Sequence, residues 1–188
     1  IKTSLMDILD LHEEGKFKIK KEDEDVHTAV ENFLTKRLGD VGKKIHTARS
    51  RNDQILLDVR LYSKERLFEI IENVLNLCKV LLEFSKENEF VPMPGRTHTQ
   101  RAMPSSVGLW ASAFVESLLD DLYLLKSAFK LNNQSPLGSA ASYGVNLNID
   151  REYIASLLGF EKVQNNVLYA NNSRGKIESI IIFTMSQI

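Results

Sequence analysis

Two long runs of apolar residues at helical spacing constrain this chain more than any other feature. Between Asp53 and Asn88, the residues Leu67, Ile70, Ile71, Val74, Leu77, Cys78, Leu81 and Phe84 recur every three or four positions. After a stretch broken by Pro92, Pro94 and Gly95, the same period returns in Val107, Trp110, Ala111, Phe114, Val115, Leu118, Leu122 and Leu125. A period of 3.6 places such residues on one face of an α-helix, so each run predicts one helix with an apolar stripe. Helices of roughly thirty residues are well above the mean of about 11–12 in globular proteins, which favours an elongated bundle. Pro104 is expected in the first turn of the second helix, where its missing N–H costs nothing.

Shorter elements flank these two. Leu5 to Glu14 reads as a helix closed by Gly15, and Thr28 with Glu31 has the spacing of a capping box for a helix that Gly39 ends. Gly39 to Asn52 reads as a loop. Asp150 is placed to cap a helix ending at Gly159, and a final helix is expected from near Ser173. Leu131 to Ile149 carries no charged residue and is rich in Asn, Ser and Gly, which predicts a packed connection rather than a solvated one. Strand signal is almost absent. The expected fold is all-α: an N-terminal helical part over 1–90, carrying an anion-binding loop at 43–53, then the start of a central helical bundle over 91–188. The sequence lacks an initiating Met and stops inside an apolar helical pattern, so it is expected to be an internal piece, truncated at both ends.

Composition narrows the function. The 24 Lys and Arg nearly cancel the 25 Asp and Glu among 188 residues, which leaves no electrostatic footprint for nucleic acid. Apolar stretches such as Ile180 to Phe183 fall far short of the ~20 residues a membrane span needs. A single cysteine cannot staple a fold, and with no secretory signal segment a reducing, cytoplasmic setting is the expectation. Cys78, among leucines, reads as a small buried apolar residue. No His/Cys/Asp spacing suits a metal, no Gly-rich loop suits a phosphate, and no cofactor is expected.

Two polar stretches carry the chemistry. In His46-Thr47-Ala48-Arg49-Ser50-Arg51-Asn52-Asp53, two arginines, hydroxyls and an amide lead into the first long helix. Guanidinium groups pair bidentately with carboxylates, and a helix start offers free N–H groups and positive potential. Together they describe an anion site, although a plain polar helix start capped by Asn52 or Asp53 uses the same residue types. In Pro94-Gly95-Arg96-Thr97-His98-Thr99-Gln100-Arg101, a histidine sits on a Pro/Gly-shaped loop between a hydroxyl, an amide and cations. Imidazole moves protons near neutral pH, which makes His98 a candidate acid/base. His12 reads as a solvent-facing helix residue, and His27, one turn from Glu31, as its ion-pair partner.

Taken together, the two stretches resemble the signatures of the argininosuccinate lyase family, in the aspartase/fumarase superfamily. Glu24-Asp25-Val26-His27 with Lys44-Ile45-His46-Thr47-Ala48-Arg49-Ser50-Arg51-Asn52-Asp53-Gln54 is similar to the first, and Met93 to Ala102 to the second. Ser135-Pro136-Leu137-Gly138, Ile149-Asp150-Arg151-Glu152 and Leu158-Gly159-Phe160 resemble the family's next segment, and the likeness runs from about Glu24 to Glu178. The resemblance implies a carbon–nitrogen lyase of arginine biosynthesis that splits argininosuccinate into arginine and fumarate. It also implies a homotetramer whose long helices form a central bundle and whose active sites are shared between subunits. By position, Ser50, Arg51 and Asn52 would bind the succinyl carboxylates, Thr97 would hold a carboxylate from a neighbouring subunit, and His98 would be the acid/base.

The sequence also departs from that pattern. Ala48 stands where the family has Gly, and Thr99 where it has Leu. Tyr169, Ser173 and Gly175 replace acids around Arg174, so the stretch 169–175 receives no role. The family's serine-bearing flexible loop and an N-terminal substrate-binding segment are expected outside these residues, so this fragment alone is expected to be inactive. Competing readings are another lyase of the superfamily, such as adenylosuccinate lyase or fumarase, a structural protein like the delta-crystallins, and a plain helical interaction module.

Overall fold

The computed structural model describes all 188 residues. Its helices are α1 (Lys2–Glu13), α2 (Val26–Leu38), the short α3 (Asp40–Lys43), α4 (Arg51–Glu87), α5 (Val107–Asn132), α6 (Arg151–Leu157), α7 (Val167–Asn172) and α8 (Lys176–Met185). Strands β1 (Pro92–Thr97) and β2 (Gln100–Ser106) form an antiparallel hairpin, and the two-residue β3 (Gln134–Ser135) and β4 (Lys162–Val163) pair in parallel. The all-α expectation holds for the body of the molecule. The hairpin between the long helices adds a strand pair where strand signal is almost absent from the sequence.

Helix α4 has 37 residues, about 55 Å at 1.5 Å per residue. Antiparallel packing of α5 against it is fixed by two contacts. The Phe68 and Phe129 rings lie 4.5 Å apart, and at the other end Ser85 Oγ donates to Gly108 O at 2.7 Å. Gly108 permits that approach, because a Cβ there would stand 2.5 Å from Ser85 O. Leu67, Val74, Cys78, Val115 and Leu125 form the buried core between the helices, and Ile181 and Met185 of α8 pack on it. Cys78 is buried as expected.

The stripes are only partly covered. Trp110, Phe114, Leu77 and Phe84, all in the predicted runs, are exposed, as are Ile182 and Phe183 of α8. The long helices therefore carry a second apolar face, which this chain alone leaves in water.

Several helix ends differ from expectation because the caps sit elsewhere. Asp25, not Thr28, caps α2, its Oδ1 accepting the Thr28 N–H at 2.7 Å. Ser50, not Asn52 or Asp53, caps α4. Ser106 caps α5 through the Leu109 N–H, which leaves Pro104 in β2 rather than in a helical turn. The loop expected over Gly39 to Asn52 contains α3 and a 3-10 turn at Lys44–His46. The final helix expected from near Ser173 is α8, which starts at Lys176, and the short α7, which was not expected, precedes it. Asp150 caps α6 through the Tyr153 N–H, as expected.

Candidate functional site

Every residue of the first polar stretch is placed by the way α4 begins. Ser50 is extended (φ −125°, ψ 158°) and its Oγ accepts the Asn52 N–H at 3.3 Å. Asp53 Oδ1 returns a bond to the Ser50 N–H at 2.8 Å, so two of the helix's free donors are satisfied reciprocally. Ala48, with φ 59°, turns the chain into this start in a conformation that favours glycine.

Asp53 is fully buried. Its Oδ2 accepts the N–H groups of Gly138 at 3.2 Å and Ala140 at 2.9 Å, which pins the uncharged Ser135–Ala140 segment against α4. Arg151 holds that segment from its other side, donating to Leu137 O and Gln164 O, both at 2.9 Å. Gly138, at φ +87°, is packed so that a Cβ would lie 2.8 Å from the Arg151 side chain. The packed connection predicted over Leu131 to Ile149 is present only in its first half: Ser135, Leu137, Ser139 and Ala140 are buried, whereas Tyr143 and Leu147 are exposed.

Arg51 is engaged by its own chain. Its Nε pairs with Asp25 Oδ2 at 3.0 Å, and Nη1 reaches Glu31 Oε1 at 3.3 Å and Gln54 Oε1 at 2.9 Å. Nη2 donates to Thr28 Oγ1 at 3.2 Å. Backbone donation from Thr28, with the guanidinium nearby, holds the Asp25 carboxyl below the usual carboxylate range. His46 Nδ1 is also 2.9 Å from Glu31. The expected His27–Glu31 pair does not form; His27 meets Asp58 at 2.9 Å across α2 and α4.

Asn52 is exposed and touches a residue that carried no role on sequence grounds: Arg174 Nη1 donates to its Oδ1 at 3.2 Å, across 122 positions. Arg174 comes just after α7 and is anchored by the buried Ser173. Ser173 Oγ accepts from Arg60 Nη2 at 3.1 Å and from Gln164 Nε2 at 2.9 Å. Arg60 is itself fully buried on α4 and donates to Gln134 O at 2.7 Å. Burial pushes its guanidinium down to about 10, against the countering charge of Glu178, so it stays cationic at neutral pH.

The second stretch forms the β1–β2 hairpin. Thr97 pairs with Gln100, so His98 and Thr99 are the two tip residues. Both have positive φ, 50° and 64°, the backbone of a type I′ turn. That conformation is unusual for a β-branched residue such as Thr99, whose Oγ1 donates to His98 O at 2.6 Å. Thr97 and His98 are exposed, along with most of the hairpin.

The sequence-predicted residues therefore fall into two groups that one chain does not bring together. Ser50, Arg51 and Asn52 sit at the start of α4; Thr97 and His98 sit on a hairpin rooted at its far end, about 55 Å along the axis. The root is fixed by Val107 N–H on Val91 O and Gly108 N–H on Asn88 O, each 3.0 Å. No group of three or more His, Cys, Asp or Glu is arranged to hold a metal ion, and no helix is long and apolar enough to cross a membrane.

Known proteins resemble this chain in both sequence and fold. The profile of a family described as "Lyase" matches residues 1–181. Argininosuccinate lyase of Thermotoga neapolitana is 50% identical over 188 residues, 100% of this chain and 47% of that protein. Argininosuccinate lyase of Bacteroides fragilis is 49% identical over 186 residues, 99% of this chain and 42% of that protein. This chain thus spans about half the length, or less, of these relatives. Among solved structures, EDDS lyase in complex with formate superposes with a TM-score of 0.87 at 22% identity, over 97% of this chain and 35% of that one. A fumarate lyase:delta crystallin from Brucella melitensis bound to cobalt gives 0.64 at 20%, over 85% and 38%. At such identities the likeness is one of fold.

Proposed function

This chain belongs to the lyase family whose profile it matches along nearly its whole length, and from that premise we propose that it supplies part of an argininosuccinate lyase. The reaction is a β-elimination that releases arginine and fumarate, as a step of arginine biosynthesis in the cytoplasm. The observation that carries this reading is 50% identity, over the entire chain, with a protein of that name. It takes in both polar stretches and the segment that Asp53 ties to the start of α4.

The chemistry asks for two things. Removing a Cβ proton next to a carboxylate builds negative charge on an aci-carboxylate, and preorganised donors aimed at it are typically worth ~3 kcal/mol each. The side chains of Ser50 and Asn52 at the α4 start are such donors. Arg51 belongs to the same group, and with its fork occupied by Asp25, Glu31, Gln54 and Thr28 it also sets the charge and shape of the site's floor. The leaving guanidinium nitrogen then needs a proton, and His98 is the proton-handling residue, with Thr97 beside it on the substrate carboxylate.

Because the two groups lie at opposite ends of α4, one active site takes its donors from one subunit and its hairpin from another. The uncovered apolar faces of α4, α5 and α8 support a homotetramer built on a shared helical bundle. The test is fumarate release, monitored by ultraviolet absorbance, from the protein at the full length of its relatives. Argininosuccinate and adenylosuccinate are offered separately. Turnover of argininosuccinate alone is expected; turnover of adenylosuccinate instead overturns the substrate, and silence on both from a folded oligomer overturns the enzyme reading.

A further inference from the structure

The guanidinium of Arg174 meets Asn52 Oδ1 at 3.2 Å, and a guanidinium has only donors. The end of the Asn52 amide that faces it must therefore be the carbonyl. The NH2 end is left toward Ser50, whose Oγ is 3.5 Å from Nδ2. Asn52 is exposed, and it is the one residue to which the Arg174 side chain bonds. Without Arg174, nothing but the long Ser50 contact would choose between the two faces of the amide.

The neighbouring cations differ in what they are free to do. Arg51 is neutralised by Asp25 and Glu31. Arg174 has no acidic partner, and its Nη2 and Nε carry no bond to the protein. Its position is set from beneath: Ser173, one residue earlier, is fully buried and held by Arg60 and Gln164, and Gly175, one residue later, has φ +79° and ends the turn. The α7–α8 turn thus presents one guanidinium to the start of α4 on a rigid support.

We propose that Arg174 is a positioning residue: it fixes the Asn52 amide with its NH2 end on the Ser50 side, as a donor to a ligand carboxylate held beside Ser50, and adds an uncompensated positive charge next to it. This rests on the lyase reading of the site. It assigns the stretch 169–175, in which the resemblance gave no residue a role, to carboxylate recognition.

The test is a double-mutant cycle in the full-length protein, with Arg174→Ala, Asn52→Ala and the pair, assayed on argininosuccinate. Arg174→Ala is expected to raise KM about ten-fold, the scale of one lost charge-assisted hydrogen bond, with a smaller change in kcat. In the Asn52→Ala background the same substitution should add much less, since its effect passes through the amide. Arg174→Lys, which still donates to Oδ1, should recover most of the lost affinity. Additive effects, an unchanged KM, or a lower thermal midpoint with normal kinetics would each overturn the proposal. Failure of the unaltered protein to turn over argininosuccinate would instead sink the lyase reading. In that event, urea unfolding of the same four proteins reads the contact directly, and zero coupling between positions 52 and 174 overturns it.

Discussion

Asp53 Oδ2 accepts the backbone N–H of Ala140 at 2.9 Å, joining residues 87 positions apart in the sequence. With Gly138 on the same oxygen and Ser50 on the other, one buried carboxylate closes the start of α4 and seats the segment that flanks it. Asp53→Ala leaves three backbone donors unpaired, two of them in a buried segment. At about 1–3 kcal/mol for each buried unsatisfied group, a loss of roughly 3 kcal/mol or more is expected. Urea unfolding measures it, and a loss below about 1 kcal/mol would show that other contacts, such as those of Arg151 and Asn171, hold the segment.

Asp25 makes the acid limb of stability steeper. Its folded carboxyl titrates below its ordinary value, chiefly because the Thr28 N–H donates to it, with Arg51 adding to the effect. The unfolded chain therefore binds the proton first on acidification. The stability Asp25 contributes is complete above the ordinary value near about 4 and is lost as pH falls through the lower folded value. Asp58 works in the opposite sense, since burial raises its carboxyl against the pull of His27. Asp25→Asn keeps a competent cap and is expected to flatten the stability profile below about pH 4. An unchanged acid limb in thermal melts across that range would refute the assignment.

Arg60 is a buried cation whose fork serves Gln134 O and Ser173 Oγ. Arg60→Met fills much of the volume but strands those acceptors and removes the charge facing Glu178. The expected cost is about 3 kcal/mol, the lower end of what breaking a buried polar arrangement takes. Denaturant midpoints decide it. Because Ser173 supports Arg174, the proposed lyase reading predicts that the same variant, in the full-length protein, also raises KM for argininosuccinate.

His98→Ala tests the hairpin. In the full-length protein the elimination rate should fall by about 10² or more, the usual scale for lost acid/base help. The melting temperature should stay the same, since the side chain is exposed at a tip. Near-normal turnover would remove His98 from the mechanism.

The long helices were legible in the sequence because a buried stripe must repeat at the helical period, and α4 and α5 bury one. The hairpin was not, for a physical reason. β1 and β2 bury almost nothing, so no alternation of apolar and polar residues marks them. Pro92 and Pro94 read as breaks and Pro104 as the first turn of a helix, yet a two-stranded ribbon is all edge and tolerates all three. The four-residue α3 is too short for any period to register. Within the site, the residue types and their order along each polar stretch were legible. The Asn52–Arg174 contact was not, because no local pattern marks a pairing over 122 positions. Nor does one mark the exchange of partners that gives His27 to Asp58 and Glu31 to His46.

The single uninterrupted helix between the two polar stretches also dictates how such a chain can change in length. Each residue of α4 advances the axis by about 1.5 Å and turns it by about 100°. One residue inserted anywhere between Asp53 and Phe84 would swing the hairpin root more than a quarter-turn away from its bearing on the Ser50–Asn52 end. Placed between Leu67 and Cys78, it would also break the stripe that faces α5. Insertions and deletions are therefore expected to be tolerated in connections outside α4, such as Lys16–Lys20 and Tyr143–Ile149. The spacing from Ser50 to Phe84 is expected to tolerate substitutions far better than added residues.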